Sequence, residues 1–247
     1  MFFFDSHVHV YPDYYNLDAL FTSFADHAAK LAPEADTLVM AVMLREFQPS
    51  LKSLFDGAKL EKWRISSASS ADASLKATDG NRVIYLLPAR QVAAKERIEA
   101  LGLFGETVVP DGLPLMETMA RLRSAGYAPV LAWGLGKWLL KRAKTVEAVI
   151  ASTEGLLIGD SALRPTFWPT PKPYKDAEAK GGCVMRGSDP LPRPGDEFSA
   201  GRYAMLVDAA FDPAAPCSSV LQAITSPDCK ITPVGRRYGL IDTAKRV

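Results

Sequence analysis

The chain has 247 residues, 48% of them apolar and 23% charged, with 29 Lys+Arg against 28 Asp+Glu and a formal net charge of +1. That composition supports one large core and excludes a disordered tail or a fibrous repeat. Near-balanced charge leaves no global field for a nucleic-acid backbone or an anionic bilayer, so the expectation is no nucleic acid, no membrane, and a small anionic substrate met by a local cluster.

Residues 2–10 begin with three phenylalanines and read as a strand; the start lacks the basic region of a signal sequence and meets Asp5, Ser6 and His7 at once. Leu17, Leu20, Phe21, Phe24, Ala28 and Leu31 recur at helical spacing behind Asn16, a good N-cap, and Pro33 closes that helix. A buried strand over 37–44 follows, far shorter than the roughly 20 apolar residues of a membrane span. A helix over 51–60 and a strand over 63–67 come next, then a Ser-, Ala- and Asp-rich stretch to residue 81 that reads as a loop. Strands are expected over 83–87 and 98–104, separated by a polar segment with Arg90, Gln91, Lys95 and Arg97. Leu115, Met119 and Leu122 mark a helix that Gly126 ends. Strands over 129–133, 155–158 and 183–187 follow, with a helix over 139–150 between the first two. Residues 161–182 carry four prolines with Phe167, Trp168 and Tyr174, and a loop that long reads as a lid. Helix-like stretches near 200–210 and 218–224 and a basic tail complete the chain.

Alternating strands and helices predict an α/β fold, a TIM-like (β/α) barrel, complete or seven-stranded, with the long loop at 161–182. The expected organisation is a single barrel domain over 1–247, with an extension from about residue 212 docked on it. No glycine-rich phosphate-binding motif follows any strand. Cys183, Cys217 and Cys229 are odd in number and show no C-x-x-C spacing, which argues against a disulfide framework and for a cytoplasmic protein.

The sharpest chemical signal is Asp5-Ser6-His7-Val8-His9. Residues two apart on a strand share a face, so two imidazoles are presented together, as a chelate for a divalent ion. Glu99 within Ile98-Glu99-Ala100-Leu101 and Asp189 within Gly187-Ser188-Asp189-Pro190 offer carboxylates at further strand ends.

This D-x-H-x-H start followed by a βα pattern resembles the amidohydrolase superfamily and the related polymerase and histidinol phosphatase (PHP) family. The resemblance implies a barrel whose first-strand histidines bind metal, with Glu99 as a mid-chain metal carboxylate. It also implies that Asp189, in a G-S-D, binds metal or takes the proton of the attacking water. The chain departs from those families: it has only three histidines, and His27 falls on an apolar helix face. The later metal-ligand histidines are missing.

Two imidazoles with carboxylates suit one divalent ion of the zinc, manganese or iron type. The ligand set is then His7, His9, Glu99 and Asp189, with Asp189 also catalytic and Asp160 an additional oxygen donor. Arg90, Lys137, Arg164 and Arg186, with Arg193, fall at or beyond strand ends and would converge on a barrel mouth as an anion site. The reading is a metal-dependent hydrolase of a small anionic ester or amide, including a phosphate ester. The alternative is a barrel without catalysis that binds an anionic ligand.

Overall fold

The first strand is apolar on both faces because it is buried on both. The computed structural model, which describes residues 1–246, places β1 over Phe2–Val8, with Phe2, Phe3 and Phe4 fully buried. After it come α1 (Leu17–Leu31), β2 (Thr37–Leu44), α2 (Leu51–Leu54), β3 (Arg64–Ser67), β4 (Leu75–Thr78), β5 (Val83–Ala93) and β6 (Glu99–Leu103). The second half runs α3 (Leu115–Ser124), β7 (Ala128–Ala132), α4 (Lys141–Ser152), β8 (Leu157–Ser161), α5 (Lys172–Glu178), β9 (Cys183–Gly187), β10 (Tyr203–Val207), α6 (Pro216–Thr225), β11 (Ile231–Gly235) and α7 (Leu240–Ala244).

Nine strands follow one another in the order β11-β10-β1-β2-β5-β6-β7-β8-β9, a nearly closed, barrel-shaped sheet, while β3 and β4 form a hairpin on the flank of β5. Ladders β1–β2, β2–β5, β7–β8 and β8–β9 are parallel. Those of β6 with β5 and β7, and of β10 with β1 and β11, are antiparallel. This mixed order departs from the expected TIM-like pattern. Only residues 94–98 join β5 to β6, and a parallel return needs a crossover of a dozen or more residues, so β6 must run back.

Alternation along the strands divides the core. Phe2, Phe4, Val39, Ala41, Leu87, Ala89, Leu101, Leu103, Val130, Ala132, Leu157 and Met185 fill the interior, which α6 caps with Val220 and Ile224. Phe3 and Leu86 face α1 outside, and Val92, Leu131 and Ile158 face α3 and α4. Asn16 caps α1 as expected, its side chain accepting from Ala19 N at 3.0 Å.

Several expected elements change. β5 continues through Pro88 to Ala93 because Pro88, which has no N–H, falls where β4 has ended and β6 has not begun its ladder. The 66–81 stretch holds β4, whose Leu75 and Ala77 turn inward while Lys76 and Thr78 are half-exposed. The 200–210 stretch is a strand; Tyr203–Val207 is buried on both faces and so carries neither period. Residues 161–182 are not one loop but contain α5, and the helix expected over 51–60 shrinks to Leu51–Leu54.

β9 meets β1 without a regular ladder. Asp189 N donates to His7 O at 2.9 Å, and Ser6 Oγ donates to Arg186 O at 2.9 Å. Asp5 is fully buried and accepts from His7 N (3.2 Å), Ser188 N (3.0 Å) and Gly201 N (2.9 Å). At the same seam, a Cβ on Gly187 would overlap His7 Cβ and lie 2.7 Å from His7 N. Gly187→Ala should therefore push β9 off β1 and lower stability by about 1–3 kcal/mol, read as a shifted urea midpoint at an unchanged m-value.

Candidate metal centre

One register shift sets the site. β1 and β2 are in step from Phe2 to Asp5, but Asp5 pairs with Met40 while Val8 pairs with Val42, so one extra residue is accommodated in β1. The bulge inverts the alternation. Before it Phe2 and Phe4 face the interior; after it Val8 packs with the outer core, leaving His7 and His9 to face inward. The interior rows of four other strands lead to polar residues around the same cavity. Gln91 lies two residues beyond Ala89 on β5, Glu99 two before Leu101 on β6, Ser161 two beyond Gly159 on β8, and Asp189 two beyond Gly187. Asp189 sits at φ +50°, a left-handed conformation uncommon for a side-chain-bearing residue and more tolerable for Asp than for most.

His7 Nε2 and His9 Nε2 are 3.1 Å apart, and Gln91 Oε1 is 3.2 and 3.0 Å from them. Asp189 Oδ1 lies 3.5 Å from His7 Nε2 and 3.9 Å from His9 Nε2, and its Oδ2 accepts from Ser161 Oγ at 2.9 Å. Such a span between imidazole nitrogens is what two ligands each about 2.1 Å from a shared ion would show. Among the described residues, His7, His9 and Asp189 form a cluster able to hold a metal ion, and Gln91 adds a neutral oxygen. Burial, then the neighbouring His7, lowers the pKa of His9 to about 4, so its imidazole is neutral at physiological pH, as a ligand must be. Tyr11 stacks on His9 with ring centroids 5.6 Å apart, and burial raises its phenol to about 12, so it keeps its proton.

The cluster opens into a cavity of about 260 Å³ lined by His9, Tyr11, Gln91, Glu99, Lys137 and Asp189, among others. Glu99 faces this cavity with its carboxylate held by Lys137, for which Gly134 leaves room; a Cβ there would lie 2.5 Å from Lys137 Cδ. Of the five expected cationic groups only Lys137 lines it. Arg90 alternates with Ala89 and Gln91, is fully buried on the other face of β5, and donates to Arg45 O, Gln48 O and Glu106 O. Arg164 grips Asp160 through two 2.7 Å bonds, and Tyr174 and Tyr203 hydroxyls complete that carboxylate, which is therefore committed as well. Arg186 donates to Val184 O and lines a different cavity with Cys183 and Cys229. Arg193 is paired with Asp196, and His27 Nδ1 lies 2.8 Å from Ala200 O. The three cysteines are free. Gln91, Ser161 and Tyr11 were not singled out from sequence; extending β5 through Pro88 would have exposed Gln91 by its alternation with Leu87 and Ala89.

No protein-family model and no curated protein matches the chain by sequence. Solved structures do match in fold. PsfC from Pseudomonas syringae PB-5123 has a TM-score of 0.59 at 14% identity, over 93% of this chain and 90% of that one. The lesion-specific endonuclease PfuEndoQ from Pyrococcus furiosus has a TM-score of 0.52 at 11% identity, over 93% of this chain and 57% of that one. Endonuclease Q in complex with a 27-mer duplex bearing an abasic lesion at its active site has a TM-score of 0.53 at 14% identity, over 98% of this chain and 66% of that one. The chain thus spans less than two thirds of either endonuclease. These neighbours overturn the expectation that nucleic acid is excluded, since a fold used on duplex DNA cannot be set aside on net charge. Among the described residues no helix is long and apolar enough to cross a membrane.

His9 yields a test. Unfolded, it takes a proton near pH 6.5; folded, not until about pH 4, so the unfolded state binds more protons between these values and stability is lost as pH falls through that window. In metal-free protein with chelator, the stability of wild type relative to His9→Gln should fall by about 3 kcal/mol between pH 7 and pH 4 in urea titrations.

Proposed function

We propose that the chain is a metal-dependent hydrolase of phosphate esters, and that His7, His9 and Asp189 with Gln91 hold a single zinc-, manganese- or iron-type ion. The observation that carries this reading is the convergence of two imidazole nitrogens and two oxygens at the mouth of one cavity. This donor set carries one negative charge, from Asp189, so a divalent ion there keeps net positive charge toward the cavity and favours an anionic ester. A bound ion would supply Lewis acidity to the ester and to the attacking water. Asp189, whose Oδ1 lies 3.5 Å from His7 Nε2, would accept a proton from such a water, while Ser161 fixes the orientation of the group through Oδ2. Lys137 and the protonated Tyr11 phenol line the cavity as donors to the ester's oxygens. A phosphodiester in nucleic acid is the first substrate to test, given the endonucleases that share the fold.

The second reading, an anion-binding barrel without turnover, is favoured by the commitment of Glu99 to Lys137. Elemental analysis of protein purified without chelator, followed by assays on bis(4-nitrophenyl) phosphate and on a duplex with an abasic site, separates the two. One equivalent of ion is expected, lost in His7→Ala and His9→Ala, with Asp189→Asn lowering turnover about a hundredfold or more. No ion after supplementation with zinc, manganese and iron would sink the metal reading. Bound ion without turnover would leave the anion-binding barrel.

A further inference from the structure

One guanidinium lines the same cavity and is not used by the site as described. Arg246 follows α7, and the stretch leading to it is tied over the mouth: Tyr238 N donates to Ala162 O, Thr166 N to Tyr238 O, and Arg193 Nη1 to Lys245 O. The Arg246 side chain is 18% exposed and held from two sides. Its Nη1 donates to Asp196 Oδ1, and its guanidinium carbon lies 4.1 Å from the Tyr238 ring centroid, opposite Arg202 at 4.1 Å. These contacts fix the plane of the group but occupy one of its five N–H donors; the guanidinium makes no other hydrogen bond to a described residue.

Charge at that corner is unbalanced. Asp196 Oδ1 is shared by Arg193 Nε and Arg246, so one carboxylate faces two guanidinium groups. Elsewhere in the cavity Lys137 is matched by Glu99. Arg90 and Arg164 are spent on backbone carbonyls and Asp160, and among the described residues Arg246 is the arginine that lines the cavity. A planar, oriented fork with N–H groups left over, lining the same cavity as the His9 and Asp189 side chains, suits two oxygens of one phosphoryl group.

We propose that Arg246 is the substrate-binding arginine of this site and holds the phosphate group that faces the metal cluster. The inference rests on the phosphoesterase reading, and metal content measured on the same preparations keeps their failures apart. Inorganic phosphate is titrated calorimetrically into the metal-loaded full chain, as wild type, Arg246→Gln and Arg246→Lys. A duplex oligonucleotide with an abasic site is titrated in parallel. The expected result is unchanged ion content with phosphate affinity weakened about tenfold to a hundredfold in Arg246→Gln. Arg246→Lys, which keeps the charge but not the fork, should fall between, and it carries the test alone should Arg246→Gln fail to fold. A matching loss toward the oligonucleotide assigns the phosphate to nucleic acid, and a loss toward phosphate alone assigns it to a free phosphate ester. Wild-type affinity in both variants, or no phosphate binding by metal-loaded wild type, overturns the proposal. Wild type that holds no ion sinks the phosphoesterase reading first.

Discussion

The structure depends on one buried carboxylate. Asp5 gathers backbone N–H groups from the β1 bulge, the segment after β9 and the turn before β10. These are the places where the sheet has to close without a regular ladder. Burial lifts its pKa to about 6, against the pull of the hydrogen bonds that favour the charged form. Desolvation is the larger effect, and the hydrogen bonds from His7, Ser188 and Gly201 pull the value back toward the ordinary carboxylate range. Closure of the barrel and placement of His7 relative to Asp189 are thus the same event.

From this seam the site follows by alternation. The strands send apolar rows into the barrel, and five of these rows end in a polar residue near the mouth: histidine on β1, glutamine on β5, glutamate at the start of β6, serine on β8 and aspartate after β9. The antiparallel β6 contributes its beginning where its neighbours contribute their ends, so a strand running the wrong way for a TIM barrel still delivers Glu99 to the mouth. The rigid sheet, more than any loop, sets the donor distances.

What the sequence made legible was whatever had a single period. The amphipathic face of α1, its Asn16 cap and the run of β2 stand out because helix and buried strand leave distinct marks. The reversal at β6, the continuation of β5 through Pro88 and the strand nature of Tyr203–Val207 were hidden, because each depends on which neighbour lies alongside. The cationic cluster illustrates the same limit. Arg90 and Arg186 do lie near strand ends, but parity decides which face a side chain takes, and both fall one residue out of step with the interior rows. His7 and His9 were legible as a pair, although the bulge that turns them inward was not.

That bulge also sets the kind of sequence change the first strand can absorb. Residues 2–4 are in phase with the core and residues 7–9 with the metal cluster, and the two phases are joined by a single extra residue around Asp5 and Ser6. Exchanging one apolar residue for another within either half leaves both phases intact. Removing that extra residue would leave Phe4 and His7 two apart on a regular strand with both still facing inward, whereas pairing all the residues present without the bulge would turn Val8 toward the mouth and the histidines toward α1. The backbone at Asp5 and Ser6 that absorbs the extra residue is therefore as much a part of the site as the imidazoles.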